Sequence, residues 1–384
     1  MTIELTAPAA TRPSRMQQAA APFLFFLLGM VFATWAARIP AVRDALHLNS
    51  AELGLVLLCG GIGSVLSFPL ASFLIGHYGA RRAAWQSGVG LLLILACQAL
   101  MPRMGWLMVS MTLMGAMASS FDVAINALAA ENEQRAGRSV MSLLHAWFCV
   151  GTLSGALLGS ALAALAIAPQ LHLGLVAALL AYPLWLAFHA LPEDAPNPTL
   201  GKRRFALPHG ALVMLGIIAF CGAIGEGSIA NWSGVFLKDH FGVSDGVAPL
   251  AYAAFAMLML AARLVGDRLK DRFGARRVVA VGSLCAAVGI YAAVLAPGVA
   301  LAIAGFALAG AGLATVFPFI FSAAGRHGPT ALAGVATMGY SGGLIGPPII
   351  GFIAHNLGMP LAMSFIGTLS VAVAIAACVA RALD

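Results

Sequence analysis

The sequence predicts an all-α membrane protein of twelve transmembrane helices in two pseudo-symmetric six-helix bundles. Of its 384 residues, 61% are hydrophobic and 9% are charged, whereas soluble domains carry about 25% charged residues. The apolar residues fall into segments of about 20, the length of a helix that crosses a bilayer. The peptide Gly79-Ala80-Arg81-Arg82 recurs 195 residues later as Gly274-Ala275-Arg276-Arg277, close to half the chain length. Such a repeat is typical of two related membrane-embedded halves.

Each half contains six apolar segments, and a polar stretch joins the halves. The predicted parts are a cytoplasmic tail, an N-terminal bundle, a cytoplasmic linker and a C-terminal bundle, at residues 1–20, 21–191, 192–208 and 209–384. The N-terminal spans are predicted at 21–43, 52–76, 84–102, 105–130, 141–168 and 172–191. The C-terminal spans are predicted at 209–237, 247–269, 278–297, 299–325, 331–356 and 359–381. The second and eighth spans end at the repeated loops.

The distribution of Lys and Arg predicts the orientation of these spans. With a cytoplasmic N-terminus, 17 of the 21 basic residues fall on the cytoplasmic side, Arg263 being counted among them. Short loops rich in Lys and Arg remain on the cytoplasmic side of a membrane, so we expect both termini in the cytoplasm. The expected location is the inner membrane of a bacterium. The first span resembles a secretory signal, but its cleavage would leave an odd number of spans, so we expect it uncleaved. The net charge of +7 follows from the same bias and does not indicate a nucleic-acid partner.

Cysteine and histidine placement gives no sign of a metal site. The six cysteines all lie inside apolar spans and lack the paired spacing of metal ligands. We interpret them as small core residues. No cofactor is expected, apart from a proton as coupling ion. The expected partners are a small-molecule substrate and lipid, and the chain is expected to act as a monomer.

The second repeated loop carries a recognisable motif. Residues 266–277 read Gly-Asp-Arg-Leu-Lys-Asp-Arg-Phe-Gly-Ala-Arg-Arg, which resembles the signature loop of the major facilitator superfamily. The resemblance implies that family's twelve-helix fold and a gating role for this loop. In the first copy Gly76 and His77 replace the acidic-basic pair, so a lock between conformations is expected at Asp271. The candidate gating residues are Asp271, Arg272, Gly274, Arg276 and Arg277, with Gly79, Arg81 and Arg82 in the first copy.

Asp122 is the most informative charge within a span. A charge at the centre of a membrane helix costs about 2.5–3.5 kcal/mol on insertion scales. Asn126 follows four residues later, so both side chains lie on one helix face. Burial favours the neutral form of a carboxyl group, which makes Asp122 a candidate proton carrier. The segment looks like span four of fucose-permease-type sugar:proton symporters, which implies Asp122 as the proton site and Asn126 as a substrate contact. The alternative is a pair that only packs helices.

Arg38 and Glu226 are the other two intramembrane charges. They lie at similar depths in spans one and seven, the equivalent spans of the two halves. They could form an ion pair across the cavity, hold substrate, or face water at the mouth of the cavity. The fucose permeases bear an aspartate near an Ile-Pro in span one, where this chain has Ala36, Ala37 and Arg38 before Ile39-Pro40. This departure leaves an anionic substrate open.

Aromatic and amide side chains complete the predicted cavity, although packing or an interfacial position explains each equally well. The candidate substrate contacts are Trp35, His145, Asn231, Trp232 and Tyr340, and Trp147 is a further cavity candidate. Gly151, Gly155 and Gly159 form a small-residue ridge in span five that predicts close helix packing. Glycines and Pro347-Pro348 predict a bendable or broken span eleven.

These features predict a secondary transporter rather than an enzyme. We expect alternating-access movement of a small polar solute (a sugar, polyol or related organic acid) with proton coupling at Asp122. A proton-driven exporter of drugs or metabolites on the same fold is the alternative. A membrane enzyme or sensor is disfavoured, because the sequence shows no nucleotide-binding loop, metal-ligand set or appended soluble domain.

Overall fold

The described part of the chain is helical throughout, as predicted. The computed structural model describes residues 15–136, 141–192, 208–210 and 212–383. Residues 1–14 of the predicted tail and 193–207 of the predicted linker lie outside it, whereas residues 15–20 of the tail belong to the first helix. The first half contains α1 Arg15–Ala36, α2 Ile39–Ala45, α3 Ser50–Tyr78, α4 Ala80–Gln98, α5 Met104–Ala136, α6 Met141–Ala164 and α7 Pro169–Ala190. The second contains α8 Leu212–Phe241, α9 Leu250–Phe273, α10 Ala275–Val294, α11 Val299–Leu313, α12 Val316–Arg326, α13 Pro329–Leu357 and α14 Met359–Val379.

Two predicted spans are each divided into two helices. Span one ends at Ala36 and continues as the short α2, which has Pro40 in its first turn. Span ten divides into α11 and α12, with Pro318 in the first turn of α12. Proline lacks the N–H that a continuous helix needs but is tolerated where a new helix begins. Among the described residues, ten spans, with α11 and α12 taken together, are long and apolar enough to cross a membrane.

Of the two alternatives for span eleven, the broken helix is wrong, because α13 runs continuously from Pro329 to Leu357. Its glycines serve close packing instead. A Cβ on Gly342 would lie 2.2 Å from the carbonyl oxygen of Phe220 in α8. Gly342 therefore lets α13 and α8 approach closely.

The two halves repeat the same packing scheme. Helix α1 packs on α6 as α8 packs on α13, α3 packs on α5 as α9 packs on α11, and α4 packs on α7 as α10 packs on α14. The predicted glycine ridge is confirmed, since a Cβ on Gly151 would lie 2.0 Å from the carbonyl oxygen of Phe26 in α1. The halves meet along α3 and α13 and along α6 and α9. A cavity between the halves therefore borders elements of both bundles.

The repeated loops have the same backbone conformation. Gly79 joins α3 to α4 with φ of 86°, and Gly274 joins α9 to α10 with φ of 81°. This left-handed region favours glycine, which explains why both copies keep it. Arg81 Nε donates to the carbonyl oxygen of Phe188 at 2.8 Å, and Arg276 Nε donates to that of Cys378 at 2.9 Å. Each loop is thereby tied to the end of the last long helix of its own half.

Candidate functional site

A cavity between the halves contains the strongest candidate site. Its walls come from α6 of the first half and from α8 and α9 of the second. The lining residues are Phe148, Cys149, Thr152, Glu226, Tyr252, Phe255, Ala256, Met259 and Arg263. Because both halves line the cavity, a molecule held there would contact both bundles at once.

Arg263 is the charged centre of this cavity. It lies ten residues before the end of α9, which is about 15 Å along the helix axis. Its Nη1 donates to Cys149 Sγ at 2.8 Å, a contact that crosses between the halves. Its Nη2 lies 3.8 Å from Glu226 Oε1, and the two side chains are 20% and 28% exposed. The arginine is therefore reachable, and its carboxylate partner stands beyond normal hydrogen-bond distance.

A third contact of Arg263 follows from the break in span ten. In a continuous helix the N–H of residue 318 would bond the carbonyl oxygen of Ala314, but Pro318 has no N–H. Arg263 Nε donates to that carbonyl at 3.3 Å. The division between α11 and α12 thus leaves an acceptor for an intramembrane arginine.

The prediction that counted Arg263 as a cytoplasmic loop charge is wrong. The residue contacts Glu226 and Cys149 within the bundle. It already lay inside the predicted span 247–269, and that position was the signal that could have identified it. Cys149, interpreted only as a core residue, is buried but supplies the acceptor for Arg263.

Arg38 and Glu226 do not pair with each other, so the suggested ion pair across the cavity is wrong. Arg38 is buried, with Nε donating to His172 Nδ1 at 2.8 Å and Nη2 to the carbonyl oxygen of Ile167 at 3.1 Å. The turn after Ala36 carries Arg38 toward the start of α7 rather than into the cavity. Glu226 faces Arg263 instead. Sequence reasoning missed His172, which lies far from Arg38 along the chain.

Asp122 and Asn126 lie together on one face of α5, as predicted. Asn126 Nδ2 donates to Asp122 Oδ1 at 2.9 Å and to the Asp122 backbone carbonyl at 2.8 Å. Both side chains are half-buried. This hydrogen bond fixes the orientation of the Asp122 carboxyl group. It does not by itself decide whether that group is charged or neutral. The proton-carrying role stays a prediction.

The remaining candidate substrate contacts are dispersed, and none belongs to the cavity lining given above. Trp35 and Trp232 are buried, and within the described residues neither indole N–H has an acceptor. Asn231 Nδ2 donates to the carbonyl oxygen of Gly227 on its own helix. The His145 ring meets Phe25 edge-on at 5.2 Å, and Tyr340 is 54% exposed. The structure does not bring these five residues together.

The signature-loop residues lie at the end of the bundle that carries Gly79 and Gly274, which we name the loop end. Asp271 and Arg272 are exposed, and Arg272 lies over the Phe273 ring at 5.2 Å. Arg82 and Arg277 are exposed as well. A gating role for this loop stays a prediction.

The opposite end, which carries α2 and the turn after α8, contains a charge cluster that sequence reasoning missed. We name it the latch: Arg43, Asp44, Lys238, Asp239 and Asp245. Arg43 binds Asp239 through two hydrogen bonds of 2.6 Å, joining α2 of the first half to α8 of the second. Lys238 contacts Asp44 at 2.7 Å and Asp245 at 2.5 Å. The latch closes this α2 end between the halves.

The latch side chains stabilise one another in their charged forms. Burial, the largest influence, would raise the pKa of Asp44, but hydrogen bonds and charge from Lys238 and Arg43 outweigh it and lower that pKa. Burial would likewise lower the pKa of Arg43, yet its bonds to Asp239 and Asp44 raise it. Beside the latch, Ser160 Oγ donates to the carbonyl oxygen of Gly246 at 2.5 Å, which adds an uncharged link between the halves.

Comparisons with known proteins agree with this architecture. The sequence model of the Major Facilitator Superfamily matches residues 22–214 and 215–384. An uncharacterized MFS-type transporter of Yersinia pestis is 36% identical over 372 residues, covering 96% of this chain and 97% of that protein. The membrane protein MosC of Rhizobium meliloti is 36% identical over 368 residues, covering 93% of this chain and 88% of MosC.

Solved structures resemble the fold at low sequence identity. A variant of the nucleoside transporter NupG has a TM-score of 0.78 at 13% identity, covering 95% of this chain and 100% of that chain. A bacterial homolog of the human lysosomal transporter Spinster, in an inward-facing and occupied conformation, has a TM-score of 0.75 at 16% identity, with 97% of each chain covered. These two likenesses concern the fold alone.

Proposed function

Since the chain belongs to the major facilitator superfamily, whose members are transporters and not enzymes, we propose that it is a proton-coupled carrier of a small polar solute. The solute class is a sugar, a polyol or a related organic acid. The carrier moves this solute across a bacterial inner membrane by alternating access. It acts as a monomer, and both of its termini face the cytoplasm. Asp122 carries the coupling proton.

The geometry of Asp122 carries this proposal. The residue lies well inside the 33-residue α5, where a fixed negative charge is costly and protonation relieves the cost. Asn126 Nδ2 donates to Oδ1 and so holds the carboxyl group in one orientation on the face of α5. An acid that can be charged or neutral within a membrane helix is what coupling to a proton gradient requires.

The contacts between the halves support alternating access. The latch joins the halves at the α2 end, while the central cavity borders both halves deeper in the bundle. With the α2 end joined by the latch, the proposed cycle brings solute to the cavity from the loop end. Release of the latch would then expose the cavity to the other side of the membrane, as an alternating-access cycle demands.

Proton-driven export of drugs or metabolites is the second candidate. Phe148, Phe255 and Met259 in the cavity lining favour it, because aromatic and thioether side chains suit apolar cargo. In a strain that lacks the transporter, sensitivity to apolar drugs with unchanged growth on sugars and acids would favour export. Loss of growth on a polar solute would favour uptake.

Asp122→Asn tests the coupling directly. In proteoliposomes with an imposed pH gradient, the wild type accumulates its solute above equilibrium, and D122N equilibrates it without accumulation because the asparagine cannot take up a proton. Solute counterflow, which needs no net proton movement, persists in D122N. Accumulation is measured with radiolabelled solute.

Glu52→Gln is the matched control, since it also neutralises an acid but lies at the start of α3, where glutamine also suits a capping box. E52Q is expected to accumulate solute like the wild type. Full accumulation by D122N would remove the proton role from Asp122.

A further inference from the structure

We propose that Arg263 binds a carboxylate group of the transported solute, so that the substrate is a small monocarboxylic acid bearing hydroxyl groups. This inference rests on the proposed function and narrows its solute class. The observation behind it is an intramembrane arginine that lines a cavity and has weak partners. Arg38, which left an anionic substrate open in the sequence, lies outside that cavity.

The present partners of Arg263 do not satisfy a guanidinium. A thiol is a weak acceptor, and the carbonyl oxygen of Ala314 stands at 3.3 Å. Glu226 Oε1 is 3.8 Å from Nη2, outside hydrogen-bond range. A guanidinium in a dry site favours a carboxylate bound through two parallel N–H···O bonds. The described contacts of Arg263 include no such pair.

The charge of the cavity favours a monoanion over a dianion. Arg263 and Glu226 together are neutral, and Arg263 is the one cation among the described residues that line the cavity. A doubly charged phosphate would meet Glu226 without a second cation to balance it. A neutral sugar would leave the arginine as weakly paired as it is now. A single carboxylate that displaces Glu226 from the guanidinium adds one negative charge to the cavity, fewer than a phosphate dianion adds.

The other lining groups indicate the rest of the solute. Thr152 and Tyr252 contribute hydroxyl groups to the cavity lining, one from each half. Thr152 Oγ1 donates to the carbonyl oxygen of Phe148 at 2.9 Å, so its oxygen can still accept a hydrogen bond from a hydroxyl on the solute. Phe148 and Phe255 provide flat apolar surfaces for the C–H faces of a polyhydroxy acid.

Binding at Arg263 also connects recognition to movement. The Arg263–Cys149 contact crosses from α9 to α6, and α6 and α9 are neighbours across the boundary between the halves. A carboxylate that takes over the guanidinium replaces this cross-half contact. Substrate binding would thereby loosen one link between the halves.

The test uses acids and neutral solutes matched in carbon skeleton: gluconate with glucitol, glucuronate with glucose, and glycerate with glycerol. Each is measured by thermal shift and by calorimetric titration of the purified full-length protein. We expect at least one acid to stabilise the wild type and its neutral counterpart not to. Arg263→Gln should weaken the binding of that acid by at least about tenfold, the loss typical of a charged hydrogen-bond partner.

Two further variants keep the test decisive. Arg103→Gln removes an exposed arginine in the turn between α4 and α5 and should bind the acid like the wild type. Glu226→Gln keeps Arg263 and removes the competing carboxylate, so it should bind the acid more tightly even if Arg263→Gln fails to fold. The proposal is overturned if only neutral solutes bind, if no acid binds, or if acid binding is unchanged by E226Q and R263Q.

These outcomes separate the inference from the proposed function. A neutral solute accumulated by the wild type but not by D122N would uphold proton coupling and refute the carboxylate site. Acid binding that depends on Arg263, without proton-driven accumulation, would uphold the site and refute the coupling.

Discussion

The latch and the cavity both join the two halves through charged side chains, but their contacts differ in kind. In the latch, Arg43 and Lys238 meet three aspartates at 2.5–2.9 Å. In the cavity, Arg263 meets a carboxylate at 3.8 Å and a thiol at 2.8 Å. Each cation of the latch has a carboxylate within hydrogen-bond distance, whereas the guanidinium of Arg263 in the cavity has none. A charge is far costlier in the membrane than at its surface, so weak pairing there indicates a group reserved for a ligand.

The largest expected difference comes from exchanging Lys and Arg in the two regions. Arg263→Lys should lower the initial uptake rate of the transported acid by at least about tenfold. An ammonium group cannot form the bidentate pair of hydrogen bonds that a guanidinium forms with a carboxylate. Lys238→Arg should change the rate by less than about threefold, since partly exposed ion pairs contribute little each. The rates are compared in proteoliposomes at equal protein content. Equal losses in both variants would contradict the distinction between the regions.

Breaking the latch should have an intermediate effect. Asp239→Asn removes the carboxylate that Arg43 binds twice, so the α2 end should open more often. Spin labels at the exposed positions 45 and 244, in a chain without other reactive cysteines, report the separation by pulsed dipolar spectroscopy. We expect a longer and broader distance distribution in D239N than in the unmodified latch.

The reversed pair Arg43→Glu with Asp239→Arg serves as the control for that experiment. It restores opposite charges across the same contact and should shift the distribution back toward the short distance. A D239N distribution identical to that of the intact latch would show that uncharged packing, such as the Ser160–Gly246 contact, closes the α2 end alone.

The smallest expected effect is the response of the latch to pH. The pKa of Asp44 lies below its usual value of 3.8 in the latched state. The stabilisation that the Asp44 carboxylate gives the latch is therefore fully present above pH 3.8. It is lost only as pH falls through the lower pKa that Asp44 has in the closed latch. The label separation should stay constant from about pH 8 to about pH 5 and increase only below about pH 4. A transition near pH 6 would assign control of the latch to another group.

The sequence predicted the features that depend on local rules. Asn126 reaches Asp122 one turn away, and the Gly151 ridge meets α1. Both follow from the spacing of side chains along a helix, which acts over a few residues.

The features that sequence reasoning mispredicted or missed depended on where a helix ends or on partners distant in the chain. The turn after Ala36 redirects Arg38 toward His172, 134 residues away. Pro318 frees the carbonyl oxygen of Ala314 for Arg263, which lies 51 residues earlier. The latch joins Arg43 to Asp239 across 196 residues. Pro40 and Pro318 indicate in the sequence where the first two arrangements arise. Only the packing of the helices shows which distant side chain makes each contact.

The wild-type arm of the uptake experiment tests the central claim most directly: solute entry into proteoliposomes that contain a pH-sensitive dye. If the chain is a proton-coupled carrier, adding its solute to vesicles at equal internal and external pH should acidify the interior as solute enters. Solute entry at the same rate with no change of internal pH would contradict proton coupling.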